Sequence, residues 1–148
     1  MGRARLPRPA RRQMILLDTQ TVIWFFNGND RLGPQARQAI ETARRSRTAL
    51  VAPILFWEVA MLNRRGRITL TLPVNDWTAM VLKACELAGL TPEIAIDAGG
   101  LGGDVHGDPM DRMMIATARE RRCPLMTSDR KILGYAKAGL LQAIDARR

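Results

Sequence analysis

The acids of this chain recur where apolar runs end and where helices should begin. Asp108 and Asp111 stand three residues apart in His106-Gly107-Asp108-Pro109-Met110-Asp111-Arg112, where Asp108 suits an N-cap and Pro109 the first helical position. This pattern predicts a helix from Pro109 to about Arg121, with Asp111, Met114, Ile115 and Ala118 on one face. A first-turn acid also complements the helix dipole and the pair resembles a capping box, so capping alone would account for both residues. Glu58 poses a sharper problem, because it is the single acid in the otherwise apolar run from Ile54 to Leu62. It shares a helix face with Ile54, Leu55, Met61 and Leu62, and a carboxylate so placed needs an arginine, a proton or a metal ion. Asp18 follows the apolar Met14–Leu17, and Asp129 follows Pro124–Thr127 and Ser128. Asp18, Glu58, Asp111 and Asp129 crowded together would repel one another unless a hard cation held them; oxygen-only donors suit Mg2+, with Mn2+ also compatible. His106 reads as a loop or capping residue, and a lone histidine argues against zinc.

The elements that must position these acids alternate between strand and helix. Met14–Leu17 reads as a short buried strand, Thr21–Phe26 as a short helix, Pro34 to about Arg45 as a helix and Thr48–Val51 as a second strand. Strands joined through helices pair in parallel. Pro53 opens the helix that carries Glu58, which ends in a basic turn of Arg64, Arg65 and Arg67. A helix from Pro73 through Val81, a weak strand within Cys85–Thr91 and a helix from Pro92 to Ala98 follow. Gly99–Gly103 reads as a flexible loop into the Asp108 helix and lacks the setting of a dinucleotide fingerprint. Pro124–Thr127 is a further strand, a turn or short helix comes next, and Leu140–Ile144 closes the sheet. The pattern predicts a three-layer α/β/α fold with a mainly parallel central sheet. In such a sheet ligands gather beyond the carboxyl ends of the strands, where Asp18 and Asp129 should both lie.

Composition narrows the class of molecule. A chain of 148 residues, 47% hydrophobic, fits one domain with a full core, expected over residues 14–148. Residues 1–13 carry five arginines and no acid, and so hold more than half of the net charge of +9. They read as a solvated, disordered basic extension, which leaves Met1 and Met14 both open as the natural start. Cys85 and Cys123 lack metal-ligand spacing and are too few for a disulfide framework, which suits a reducing cytoplasm. No apolar run has the length of a membrane span, and Asp18 interrupts the segment that a signal peptide would need.

Four stretches in this order resemble the PIN-domain family and, within it, VapC-type toxins of bacterial toxin–antitoxin pairs: Leu16-Leu17-Asp18-Thr19, Phe56-Trp57-Glu58-Val59-Ala60, His106–Arg112 followed by Ile115-Ala116, and Thr127-Ser128-Asp129-Arg130. The resemblance spans Met14 to about Asp145. It implies a metal-dependent endoribonuclease whose catalytic and metal-holding residues are Asp18, Glu58, Asp111 and Asp129, with Asp108 as an auxiliary. It also implies an RNA substrate, a cognate antitoxin that blocks the site and a homodimer. The arginine-rich segment before Met14 departs from the family's usual start. Arg64, Arg65, Arg112 and Arg130 are the candidates for contacts with RNA phosphates. Two rivals stand beside this reading. A haloacid-dehalogenase-like phosphatase requires a second aspartate where this chain has Gln20, and a non-catalytic RNA- or protein-binding module of the same fold would have no use for carboxylates beside a polyanion.

Overall fold

The computed structural model describes residues 13–102 and 104–148, so the basic extension, apart from Gln13, lies outside the described residues. The first strand, β1 (Ile15–Leu17), leads through α1 (Thr19–Phe26) and α2 (Pro34–Arg45) to β2 (Ala49–Val51). After it come α3 (Ile54–Arg64), α4 (Val74–Ala84) and the short edge strand β3 (Glu86–Leu87). The second half runs α5 (Pro92–Gly100), α6 (Pro109–Arg121), β4 (Leu125–Thr127), α7 (Arg130–Lys137) and β5 (Ala143–Asp145).

The strands pair in the order β3-β2-β1-β4-β5, every pair parallel, with Leu16 aligned between Leu50 and Leu125. Leu16, Leu17, Val51, Leu125 and Met126 are fully buried. A parallel strand apolar on both faces must be covered on both, which is the three-layer arrangement expected from the alternation of elements. The chain moves outward from β1 to β2 and β3, then returns to the other side of β1 for β4 and β5. The reversal lies between β1 and β4, so the crevice at their carboxyl ends is where such a sheet receives a ligand.

Several expected boundaries moved, α1 starting at Thr19 rather than Thr21, and two of the shifts have a visible cause. Gly99 and Gly100 are helical, the last residues of α5, and the loop starts only at Leu101. The reason is Arg112 of α6, whose guanidinium donates to the carbonyls of Ala98 (2.9 Å), Gly99 (3.4 Å), Leu101 (2.9 Å) and Val105 (3.2 Å). Carbonyls at a helix end have no partner of their own, and this arginine supplies it from the neighbouring helix. Ile94 and Ala98 of α5 form with Ala116, and with Met113 beside them, a small apolar cluster separate from the main core. The other boundary is the last strand, which starts at Ala143 because the chain turns at Gly139 (φ 90°) and bends through Leu140 before it reaches the sheet. Both cysteines are buried free thiols, and burial pushes Cys85 up to about 11 and Cys123 above its usual range, which makes them inert. No described helix is long and apolar enough to cross a membrane.

Candidate active site

Three aspartates are helix N-caps, and two of them, Asp18 and Asp129, reach the crevice. Asp18 follows β1 and accepts from the backbone N–H of Thr21 at 2.9 Å through Oδ1, opening α1. Asp129 follows β4 by two residues and opens α7 by accepting from Lys131 (2.8 Å) and Ile132 (3.1 Å), again through Oδ1. Asp108 opens α6 in the same way, accepting from Met110 (2.9 Å) and Asp111 (3.1 Å). In each case one carboxylate oxygen fixes the side chain against free helix amides and the other is not used by the cap. The acids are therefore set in place by the same bonds that start their helices.

Asp18, Glu58, Asp111 and Asp129 line one crevice of about 500 Å³, together with Thr19, His106 and the rim cations Arg130, Lys131 and Arg147. Glu58 enters from α3 and accepts from the Thr19 hydroxyl at 3.4 Å. Asp108 does not line the crevice, although its charge is felt by Glu58 and Asp111. Among the described residues no lysine or arginine forms an ion pair with any of the four acids, so the salt bridge that would have explained Glu58 is not made. Their protonation behaviour follows. Burial raises the Asp18 carboxyl above its usual range, partly offset by Thr127 and Thr21 and reinforced by the charge of Asp129. Burial also raises Glu58, against the Thr19 hydrogen bond and with the help of Asp108 and Asp18. Asp111 is pushed up to about 6, first by burial and then by the charges of Asp108 and Asp129. Acids raised in this way retain protons or recruit a cation.

The capping box expected of Asp108 and Asp111 is only half formed. The Asp108 N–H donates to Nδ1 of His106 at 3.3 Å, while Asp111 turns toward His106 Nε2 at 3.2 Å. Nε2, on the side of Asp111, is buried and makes no hydrogen bond. His106 is thus the loop residue read from the sequence, and it is also more: His106, Asp111 and Asp129 each offer an atom within 4.8 Å of the other two. Asp18 and Glu58 share the crevice but stand outside that tight group. A carboxylate set without a lysine or arginine partner fits a hard divalent cation.

The four arginine candidates separate. Arg130 is exposed on the rim of the crevice. Arg64 and Arg65 lie at the end of α3, beside the exposed Trp57, along a different surface hollow. The guanidinium of Arg112 is occupied by the four carbonyls around the end of α5. Lys131 and Arg147 were not singled out from the sequence, yet Arg147 follows β5 by two residues as Asp129 follows β4. The rule that placed Asp129 would have placed it too.

Residues 15–138 match the model of the PIN domain family. Ribonuclease VapC22 of Mycobacterium tuberculosis is 36% identical over 121 residues, covering 82% of this chain and 91% of the relative. Among solved structures, a toxin–antitoxin complex from Klebsiella pneumoniae superposes with a TM-score of 0.62 at 19% identity, covering 89% of this chain and 97% of the other. VapBC2 from Rickettsia felis, bound to a DNA fragment from its promoter, gives a TM-score of 0.64 at 14% identity over 89% and 98% of the two chains.

Proposed function

Since the chain belongs to the PIN-domain family, we propose that it is a metal-dependent endoribonuclease, the toxin of a toxin–antitoxin pair, with Asp18, Glu58, Asp111 and Asp129 as its catalytic acids. The observation that carries the reading is the crevice itself: four carboxylates from four elements, with Asp18, Glu58 and Asp111 raised by burial and none ion-paired to a lysine or arginine. Similarity to a VapC ribonuclease and the toxin–antitoxin complexes among the structural neighbours support the biological role.

Asp18, Asp111 and Asp129 would hold the ion, Mg2+ or Mn2+, with Glu58 beside it. Such an ion polarises a phosphodiester and makes bound water more acidic. The chain's own residues do the rest. Glu58, fixed by Thr19, orients the attacking water on the α3 side of the crevice. The His106 ring, its Nε2 3.2 Å from Oδ2 of Asp111, sits beside that carboxylate. Arg130, Lys131 and Arg147 bind phosphates of the RNA at the rim, and Arg64 and Arg65 offer a more distant contact. Capping leaves one oxygen of Asp18 and of Asp129 for the site, so folding and ligand binding do not compete for the same atom.

The same unpaired acids recommend a partner that covers them. A planar guanidinium from an antitoxin can bridge two carboxylates and exclude the cation at once. The test is to incubate the purified chain with a mixed RNA pool, with and without Mg2+, and map the new ends. Cleavage that requires the ion and vanishes in the Asp129→Asn variant supports the reading. Ion-independent cleavage, or none under any divalent ion, overturns it.

A further inference from the structure

A hollow of about 1070 Å³ lies between α2, α7 and β5, and it shares Arg130 and Arg147 with the acidic crevice. The two therefore adjoin at these side chains. Lys137 and Arg148 line the same groove farther out, and all four cations are exposed. None of them forms an ion pair among the described residues. The one acid on the groove, Asp145, directs Oδ1 at the backbone N–H of Arg147 at 2.9 Å and so braces the segment that bears the arginines.

That segment is also anchored from the other side. The Ala146 carbonyl accepts from the Gly33 N–H at 2.9 Å, and the Arg148 carbonyl accepts from the Ala36 N–H at 2.8 Å, in the first turn of α2. A methyl group at Gly33 would overlap the Arg148 carbonyl, so glycine is what lets the two backbones approach so closely. Arg147 and Arg148 thus project from a fixed backbone. Cations held in a row lose less freedom on meeting a regular array of phosphates than cations on a loose tail.

We infer that this groove is an extension subsite for the RNA that flanks the cleaved bond on one side, with Lys137 and Arg148 contacting phosphates beyond those held at the crevice. The inference rests on the proposed ribonuclease function and deepens it, because it makes the preferred substrate an unpaired strand several nucleotides longer than the crevice can hold. The charge on the groove is what favours RNA over an apolar occupant. The two cations shared with the acidic crevice set its direction, from Arg130 and Arg147 outward to Lys137 and Arg148.

The test compares wild type with the Lys137→Gln/Arg148→Gln double variant. Binding of labelled single-stranded RNA is followed by fluorescence anisotropy in chelator, and cleavage is followed separately with Mg2+. One RNA spans the crevice only; two others are extended by several nucleotides on the 5′ or the 3′ side. Wild type should bind one of the extended RNAs more tightly than the short one, and the variant should lose roughly fivefold to tenfold of that gain. The slope of log affinity against log salt should fall by about 1.4, the loss of two single-strand phosphate contacts. The short RNA should be bound and cut equally by both proteins. Unchanged affinity and slope for both extended RNAs overturn the inference, as does an equal loss on short and extended RNA. A variant impaired only in binding the antitoxin would give the groove to a protein and overturn the RNA assignment. If wild type binds extended RNA as described but cuts none with any divalent ion, the ribonuclease reading fails while the groove stands as an RNA site.

Discussion

The two walls of the crevice are built differently. Asp18 and Asp129 follow β1 and β4, the adjacent central strands, whose Leu16, Leu17, Leu125 and Met126 are fully buried. Their positions are tied to the main core, and moving either would disturb apolar packing worth several kilocalories per side chain. Asp111 stands on α6, whose partner α5 contributes only Ile94 and Ala98 to a small separate cluster. The loop between those helices is held by polar contacts: the four carbonyls on Arg112, the His106 N–H to the Tyr135 hydroxyl at 3.0 Å and the Asp108 cap. The body of α6 is itself anchored in the main core through Met114, Ile115 and Ala118, and the loop through Leu101 and Val105. What sets this wall apart is that the first turn bearing Asp111 depends in addition on a handful of hydrogen bonds. Catalytic geometry should therefore be robust on the sheet side and fragile on the α6 side, where single polar substitutions can move Asp111.

The largest effect should come from the acids, on both walls. Asp18→Asn, Asp129→Asn, Asp111→Asn and Glu58→Gln should each lower cleavage by more than the ~10–100-fold typical of losing an outer-shell partner of a metal site. Asparagine caps helices well, so the aspartate variants should stay folded, as circular dichroism would show. Full activity in Asp111→Asn would leave that wall with a purely structural role.

Arg112→Met should come next and separates the walls. It strands the carbonyls around the end of α5 and should cost about 2–3 kcal/mol of stability in denaturant titration. Arg112→Lys should recover only part of this, since an ammonium cannot reproduce the guanidinium fork. Hydrogen exchange should quicken around residues 98–110 while the amides of β1 and β4 stay protected. Uniform loss of protection across the sheet would mean that both walls belong to one cooperative unit.

These elements also show what was legible beforehand. The strands, the parallel order and the helix starts at Pro34, Pro92 and Pro109 follow from local pattern, because apolar runs and prolines act on their own neighbourhood. Asp18 and Asp129 were placed by a rule about strand ends that needs no knowledge of distant contacts. Arg112 was another matter: nothing near it in sequence says that its partners are the carbonyls of Ala98, Gly99, Leu101 and Val105, and a free arginine beside an acidic motif reads as a phosphate contact. The two glycines at the end of α5 were read as a loop for the same reason, since their helical state depends on that donor. The half-formed capping box at Asp108 likewise turned on the His106 ring, which reaches Asp111 through a loop whose path the sequence does not dictate.

A smaller effect should appear in the pH dependence of the metal-free protein. Asp18, Glu58 and Asp111 have folded-state values above their unfolded ones, Asp111 reaching about 6 from 3.8. Between the unfolded and folded values the native state binds more protons, so stability falls as pH rises through this interval. In chelator the melting temperature should carry a component that declines from about pH 4 to beyond pH 6. Asp111→Asn should flatten that component and raise the melting temperature at neutral pH. A melting temperature that rises across the interval, with no change in Asp111→Asn, would show that the acids are compensated by a charge within the protein.

The smallest effect belongs to Asp108, and it distinguishes a cap from a ligand. Its Oδ1 accepts from Met110 and Asp111, a task an asparagine amide oxygen performs equally well, so Asp108→Asn should change stability by no more than about 0.5 kcal/mol. Asp108→Ala removes the acceptor and should cost about 1 kcal/mol. The charge has a second consequence, because Asp108 is the foremost neighbouring charge that raises Asp111. Removing it should lower the Asp111 titration, visible in the carboxyl carbon shift by NMR, and weaken the affinity of the metal-free crevice for a guanidinium probe. Activity with saturating Mg2+ should remain within a few-fold of wild type in Asp108→Asn and fall further in Asp108→Ala, as the start of α6 frays and Asp111 loses its bearing. Equal and large losses in both variants would mean that the Asp108 charge, rather than its capping oxygen, is what the site requires, and Asp108 would then join the four acids.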